Sequence, residues 1–267
     1  MRVSVEGGLP QQEIDSLGDA LFSALRSREQ IAPFGEQRGL SIADAYAISR
    51  RLLERRLDDG ERLVGKKIGV TSEVVQSMLD VRQPDFGYLT DAMQYENGAV
   101  LPVSSHCIQP RAEGELAFQL KSDLRGPGVD ESGVLAATER VFPCFEIVDS
   151  RIEDWQIRIQ DTVADNASSG LFVLGAAVSP VKVDFRGARM EVFKNSAPLS
   201  QGVGAAALGS PLTCVAWLAN TMGNYGVPLE AGDIILSGSW VPLEPVQAGD
   251  SMHLTIEGVG EASVRFQ

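Results

Sequence analysis

From residue 64 onward, the sequence is divided into short apolar runs separated by turn residues. The runs are rich in β-branched side chains and of strand length. Ala-Gly-Asp turns that end at Asp233 and Asp250 each lead into one of the runs. Many strands with few crossover helices predict a mainly β body, closed or sandwich-like, rather than a doubly wound sheet. The runs cover residues 64–70, 99–103, 116–120, 141–148, 171–174, 234–236, 252–256 and 262–266.

Helical patterns dominate the part of the chain before these runs. Apolar side chains recur at helical spacing in residues 11–27, and a second helix follows Ser41, which forms a capping-box pattern with Asp44. We therefore predict a helical N-terminal subdomain, residues 1–63, and a mainly β domain, residues 64–267. Further helices are predicted over residues 71–79, 130–140 and 210–222, the last with Ser210 as N-cap and Pro211 in its first turn.

Charge and cysteine content restrict the functional class. The net charge of −13 and the sequence pI of about 4.6 would repel a phosphate backbone or an anionic membrane. Apolar runs stay well below the roughly 20 residues that span a bilayer, and the first ten residues lack the pattern of a signal peptide. Cys107, Cys144 and Cys214 are odd in number and far apart, which predicts free thiols and a cytoplasmic location.

Two glutamates form the sharpest chemical feature. Glu113 and Glu115 alternate with small residues, so on a strand their side chains would point to the same face. Two such carboxylates repel each other unless a cation lies between them, and Mg²⁺ or Mn²⁺ prefers oxygen ligands. The alternative is a solvated polar face. The apolar residues 116–118 that follow favour a strand entering the core, and therefore a metal.

Glu146 is a third candidate ligand, because it lies within the apolar run 141–148. A carboxylate in that setting must be paired or metal-bound. Metal binding and a buried salt bridge to Arg151 or Arg111 are both open at this point.

Lys67 is the candidate cation. Gly65 and Gly69 flank the Lys66–Lys67 pair, and alternation sends the two lysines to opposite faces of a strand. We expect one lysine to meet solvent and the other to face the site; the alternative is two surface lysines. Zinc is disfavoured, since His106 would be an isolated ligand and fits a partly buried structural histidine better.

An ordered set of motifs resembles the 2-oxopent-4-enoate (2-hydroxypenta-2,4-dienoate) hydratases, in the hydratase and decarboxylase branch of the fumarylacetoacetate hydrolase superfamily. The resemblance extends over nearly the whole chain. The motifs are GKKIGVTS at 65–72, QPDFGYL at 83–89, RAEGE at 111–115, EIVDSR at 146–151, DTVADNAS at 161–168 and GVGAAALG at 202–209.

This resemblance implies an α+β fold in which a distorted, mainly antiparallel β-roll follows a helical N-terminal part. It implies that Lys67 and Asp85 are catalytic and that a divalent metal, Mg²⁺ or Mn²⁺, is bound. The implied metal ligands are Glu113, Glu115 and Glu146, and the implied substrate contacts are Leu89, Ser168 and Ser239. At Ser239 this chain reads Ser-Gly-Ser-Trp, where the superfamily often has Thr-Gly-Thr-Pro.

The implied activity is addition of water to 2-hydroxypenta-2,4-dienoate or a substituted analogue, within aromatic meta-cleavage catabolism. The alternative within the branch is 4-oxalocrotonate decarboxylase. A non-catalytic relative would be free to lose the lysine and the glutamates, and an acylpyruvate hydrolase would show an added His-Glu pair. The resemblance also implies a homo-oligomer, or a complex with a sister decarboxylase or a downstream aldolase.

Overall fold

The computed structural model describes residues 8–72, 76, 81 and 83–267. None of the helices in these residues is long and apolar enough to cross a membrane. The helices are α1 (Gln11–Ser27), α2 (Ile42–Asp58), α3 (Val103–His106), α4 (Glu131–Ala137), α5 (Ile159–Ala164) and α6 (Pro211–Asn224). The strands are β1 (Leu63–Gly69), β2 (Asp85–Thr90), β3 (Gln94–Glu96), β4 (Val100–Leu101), β5 (Arg111–Leu120), β6 (Thr138–Val148), β7 (Ser169–Leu174), β8 (Arg189–Lys194), β9 (Ala197–Val203), β10 (Ile234–Leu236), β11 (Glu244–Pro245), β12 (Ser251–Ile256) and β13 (Gly260–Phe266).

The strands form two sheets, both mainly antiparallel. The larger has the order β2-β1-β10-β5-β6-β7-β3, with β11 also paired to β5, and the smaller has the order β4-β13-β12-β8-β9. Pairs β1–β10, β3–β7 and β4–β13 are parallel. The larger sheet curls into a half-barrel, which brings β2 and β7 into contact although four strands separate them in the ladder. The predicted α+β fold with a β-roll body is confirmed.

The two faces of the half-barrel bury different clusters, as the period of two along a strand requires. Its outer face carries Ile68, Phe118 and Phe145, which belong to a large core shared with α6 and the smaller sheet. Its inner face carries a smaller apolar cluster that includes Leu89 and Phe172. The register places Glu113 opposite Glu146 and therefore on this inner face, together with Glu115.

The N-terminal helices form as predicted, and a capping box explains where α2 begins. The Ser41 hydroxyl accepts a bond from the Asp44 amide at 3.1 Å, and the Asp44 carboxylate accepts from the Ser41 amide at 3.2 Å. The apolar faces of α1 and α2 pack in a cluster that also contains Ile152 and Val163, from the later part of the chain. The boundary between residues 63 and 64 stays a prediction.

Some of the predicted helices and strands differ from the structure or cannot be compared with it. The helix predicted over residues 130–140 ends at Ala137, because Thr138 adopts an extended conformation and begins β6. Strands β2, β3, β8, β9 and β11 were not predicted; β9 contains Pro198 and Gly202 and is formed by pairing with β8. The helix predicted over residues 71–79 lies largely outside the described residues. The other runs form strands with ends shifted by one to a few residues, and the predicted N-cap at Ser210 is present.

Candidate metal and substrate site

Three buried glutamates converge on the inner face of the half-barrel. Glu113 and Glu115 come from β5, and Glu146 comes from β6, directly across from Glu113 in the ladder. One carboxylate oxygen of each lies within 4.8 Å of the others. Their exposed fractions are 7%, 0% and 1% respectively, so the solvated polar face is excluded. The arrangement can hold a divalent metal ion.

The electrostatics of this cluster fit a bound cation. Burial raises the pKa of Glu113 to about 8, and the charge of Glu146 adds to the effect. Burial, followed by the charges of the other two carboxylates, also holds the pKa of Glu115 well above its ordinary value. Among the described residues, Glu115 Oε1 and both oxygens of Glu146 have no hydrogen-bond partner. Buried acceptors without donors are costly unless a cation is bound.

Lys67 lies beside the glutamates. Its Nζ is 3.4 Å from Glu146 Oε1, with both side chains almost fully buried. Burial alone would lower the pKa of Lys67, but the charges of Glu146 and Asp85 outweigh it and hold the pKa above its ordinary value. Lys67 is therefore an ammonium group in a cluster of carboxylates.

The salt-bridge partners suggested for Glu146 are wrong. Arg151 pairs instead with Asp165, at 2.5 Å between Nε and Oδ1. The Arg111 guanidinium lies over the Trp155 ring, 4.6 Å from its centroid. Neither arginine could be assigned from the sequence, because both of these partners are fixed by the tertiary fold.

Lys66 corrects a second expectation. It points to the opposite face from Lys67, as alternation predicts, but it does not meet solvent. Its exposed fraction is 1%, and its Nζ lies 2.5 Å from Asp233 Oδ2. Asp233 also accepts a bond from the Glu230 amide, so it holds the Ala-Gly-Asp turn before β10. Lys66 has a structural partner, and Lys67 alone of the pair faces the glutamates.

Asp85 begins β2 and lies opposite Gly69 in the β1–β2 ladder. A side chain at Gly69 would collide with it, since a Cβ there would lie 2.3 Å from Asp85 Oδ1. Burial raises the pKa of Asp85, and the charge of Lys67 opposes that rise. Within the described part of the chain, both Asp85 oxygens lack hydrogen-bond partners. This glycine is thus needed for the carboxylate to lie beside the lysine.

The predicted substrate contacts lie at different places around this centre. Leu89 lies on the same face of β2 as Asp85. Its side chain packs with Phe172 in the apolar cluster of the inner face. Ser168 lies in the turn before β7, with its Oγ 3.3 Å from Thr162 Oγ1. Their roles in binding substrate stay predictions.

Ser239 lies beside Glu113, and its own turn also holds its side chain. Its hydroxyl donates to the Val241 carbonyl at 2.6 Å. The neighbouring Gly238 amide donates to Glu115 Oε2 at 2.9 Å, a contact that sequence reasoning missed. Gly238 has a φ of 92°, so a glycine inside the Ser-Gly-Ser turn was the available signal. The turn supports a candidate ligand through its backbone.

His106 does not belong to the site. It is exposed, contrary to the partly buried position expected, and its Nδ1 lies 2.9 Å from Ser105 Oγ. The three cysteines are free, as predicted, and all three are buried.

The fold and the site now allow comparison with known proteins. Residues 66–267 match the family described as fumarylacetoacetate (FAA) hydrolase, C-terminal. The chain belongs to the fumarylacetoacetate hydrolase family. It is 54% identical over 259 residues to a 2-hydroxyhexa-2,4-dienoate hydratase of Comamonas testosteroni, covering 96% of this chain and 98% of the relative. It is 64% identical over 217 residues to a 2-hydroxypent-2,4-dienoate hydratase of Pseudomonas putida, covering 80% and 97%.

A solved relative shares nearly the whole fold. The 4-oxalocrotonate decarboxylase from Pseudomonas putida G7, complexed with magnesium and adipate, superposes with a TM-score of 0.94. It is 32% identical in sequence, and the match covers 97% of this chain and 99% of that one. The predicted family and its hydratase branch are confirmed by the sequence relatives. The fold alone does not separate hydratase from decarboxylase.

Proposed function

We propose that the protein adds water to 2-hydroxypenta-2,4-dienoate, or to a substituted analogue, and releases a 4-hydroxy-2-oxo acid. The observation that carries this proposal is the buried group of three glutamates with Lys67 and Asp85 on one face of the half-barrel. The hydratases named above, at 54% and 64% identity, support the choice of reaction.

The metal site belongs to Glu113, Glu115 and Glu146. Their hard oxygen donors suit Mg²⁺ or Mn²⁺, and their unpartnered oxygens fit a bound cation. When bound, such an ion would withdraw electron density from the substrate's carboxylate and C2 oxygen.

Lys67 supplies positive charge at the C2 oxygen. Because its pKa is raised, it stays protonated and donates a hydrogen bond rather than accepting a proton. An ammonium group there favours the form of the substrate that carries negative charge on this oxygen. The Ser168 hydroxyl and the backbone near Leu89 would bind the substrate's carboxylate or its 2-oxo group.

Asp85 is the proton carrier. Burial raises its pKa, with the charge of Lys67 opposing the rise, and a raised pKa makes a carboxylate a better proton acceptor. In the first step, the 2-hydroxyl loses a proton and C5 gains one, which gives 2-oxopent-3-enoate. In the second step, the oxygen of water adds to C4 and a proton adds to C3. The sum is addition of one water molecule, with Asp85 taking up and returning the proton.

The charge of the inner face favours hydration over decarboxylation of a dicarboxylate. Among the strand residues that the structure describes, Lys67 is the basic side chain placed beside the glutamates. Arg111 and Arg140 lie near strand ends, and they contact Trp155 and Glu139 respectively. Among the described strand residues, none besides Lys67 therefore offers a cation to offset the desolvation of a second substrate carboxylate.

One assay separates the two reactions. The protein is incubated with 2-hydroxypenta-2,4-dienoate and, separately, with 2-oxohex-3-enedioate, each with Mg²⁺ or with EDTA. Loss of dienol absorbance with Mg²⁺, abolished by EDTA and without CO₂ release, is the expected result. Release of CO₂ from the second substrate at a comparable rate would establish the decarboxylase instead.

We also propose a cytoplasmic homo-oligomer, on the basis of the family resemblance and the free thiols. Light scattering on the purified protein tests the assembly, and a monomer at micromolar concentration would refute it. Co-purification with the sister decarboxylase or the downstream aldolase would test the proposed complexes.

A further inference from the structure

At one edge of β2, a side chain takes the place of a neighbouring strand. The Tyr88 amide donates to Asn166 Oδ1 at 2.7 Å, and Asn166 Nδ2 donates to the Tyr88 carbonyl at 2.9 Å. Two opposed bonds to one residue are the pattern by which antiparallel strands pair. The Asn166 amide therefore pairs with the free edge of β2 as the backbone of another strand would.

We call the pairing of Asn166 with Tyr88 the seam, and the segment that carries Asn166 passes very close to β2 there. A Cβ at Gly87 would lie 2.4 Å from the Asn166 carbonyl oxygen. Gly87 is paired with Lys67 in the β1–β2 ladder, so the seam lies directly beside the proposed catalytic pair. A glycine at this position is what allows the half-barrel to close here.

The segment that carries Asn166 has an unfavourable backbone. Asn166, Ala167 and Ser168 are consecutive non-glycine residues with φ of 55°, 51° and 52°. The left-handed conformation crowds the Cβ of an L-residue, so three in a row persist only where surrounding contacts hold them.

Arg151 supplies those contacts. Its Nε donates to Asp165 Oδ1 at 2.5 Å, and its Nη2 donates to the Asp165 carbonyl at 2.6 Å. Its Nη1 donates to the Ser169 carbonyl at 2.9 Å, so the guanidinium holds both ends of the left-handed segment. The Asp149 amide adds a bond to the Ser168 carbonyl at 2.8 Å and ties the segment to the end of β6.

The position of Asp85 depends on this seam. Its carboxylate oxygens have no close hydrogen-bond partner in the described part of the protein, so the β2 backbone, together with the charge of Lys67, sets where it lies. One edge of β2 is paired with β1, and Asn166 pairs with the other at Tyr88, three residues after Asp85. Loss of the Asn166 bonds would free that edge.

We propose that Asn166 is a positioning residue for the reaction, held in place by the Arg151–Asp165 pair, and that it fixes β2 so that Asp85 stands beside Lys67. The inference rests on the proposed function for its kinetic consequence. Asn166 acts on β2, whereas the proposed metal ligands lie on β5 and β6. Its replacement should therefore alter catalytic geometry without altering metal binding.

The test is Asn166→Asp, which keeps the shape and the bond from the Tyr88 amide but sets an acceptor against the Tyr88 carbonyl. We expect kcat to fall at least 10-fold, with the Mg²⁺ dissociation constant, measured by calorimetry, within twofold of wild type. Arg151→Lys, which cannot reach both ends of the segment, should act in the same direction.

Asn220 offers a matched control. Its amide makes the same pair of bonds to a backbone residue, accepting from the Val129 amide at 2.9 Å and donating to the Val129 carbonyl at 2.8 Å, but away from the glutamates. Asn220→Asp should therefore leave kcat within twofold of wild type. Equal loss of kcat in both variants, unchanged kcat in Asn166→Asp, or a parallel loss of Mg²⁺ affinity would overturn the proposal.

Hydrogen exchange tests whether Asn166 holds β2, whichever reaction the protein catalyses. Asn166→Ala, which removes both bonds to Tyr88, should speed amide exchange in β2, at Tyr88 above all, with β5 and β6 unchanged. If the wild-type protein hydrates no dienoate, the proposed function fails, and the exchange result still decides whether the seam holds β2. Unchanged exchange at Tyr88 would refute the seam.

Discussion

Lys66 and Lys67 are adjacent in the chain, yet they pair with different buried carboxylates on opposite faces of β1. Lys66 Nζ lies 2.5 Å from Asp233, and Lys67 Nζ lies 3.4 Å from Glu146. The first pair joins β1 to the turn before β10. The second faces a carboxylate cluster with more acceptors than donors. Two identical side chains therefore have different roles because of strand alternation alone.

We expect Lys67→Met to lower kcat by about 100-fold or more, the range found for loss of a proton-handling or charge-stabilising group. Mg²⁺ affinity should be kept or increased, because a positive charge next to Glu146 is removed. Steady-state kinetics and calorimetry measure the two effects. A variant with wild-type kcat would exclude Lys67 from the reaction.

Lys66→Met should have the opposite profile. It leaves the buried Asp233 carboxylate without its cation, which costs about 3–5 kcal/mol of unfolding free energy. The folded fraction of this variant should bind Mg²⁺ with an affinity within a few-fold of wild type. Urea unfolding monitored by fluorescence gives the stability, and a loss below about 1 kcal/mol would contradict the buried pair.

Glu115→Gln should weaken Mg²⁺ binding by about 100-fold or more, since loss of even a supporting residue of a metal site costs 10–100-fold. In EDTA the same variant should unfold at a higher temperature than wild type, and most clearly at high pH, because the amide cannot ionise in the buried cluster. The control is Glu139→Gln, an exposed glutamate of β6 outside the cluster. Unchanged Mg²⁺ affinity in Glu115→Gln would refute the metal assignment.

The metal-free protein should lose stability as the pH rises. Folding raises the pKa of Glu113 from 4.5 to about 8, so between these values the folded state binds more protons than the unfolded state. The unfolding free energy then falls with pH, by up to about 1.4 kcal/mol per unit for each proton. Saturating Mg²⁺ replaces the proton and should remove the decline. Unfolding curves at pH 5, 6.5 and 8, with EDTA or Mg²⁺, test this; equal stability in EDTA at pH 5 and 8 would contradict it.

Asp85→Asn should separate stability from activity. The amide keeps the shape of a carboxylate that is buried without hydrogen bonds, so the melting temperature should be unchanged or higher. The amide cannot carry a proton, so kcat should fall about 10²–10⁴-fold. Calorimetric melting and turnover of the dienoate measure both. Activity near wild type would assign proton transfer to another group.

Local sequence rules predicted much of the site's architecture. The period of two placed Glu113 and Glu115 on one face and Lys66 and Lys67 on opposite faces, because side-chain direction on a strand is a local property. Capping chemistry predicted the helix starts at Ser41 and Ser210 for the same reason. The family motifs then named Asp85, which no local pattern marked.

Contacts between distant segments were decided only by the tertiary structure. Lys66 and Asp233 are 167 positions apart, and Tyr88 and Asn166 are 78 apart. Ladder register and sheet curvature bring such residues together, and both depend on the packing of the whole chain rather than on a short window. The sequence by itself therefore determined which residues could form a metal and proton-transfer site. The fold decided that Lys67, rather than Arg111 or Arg151, stands beside Glu146, because only the packed half-barrel sets which cation reaches that carboxylate.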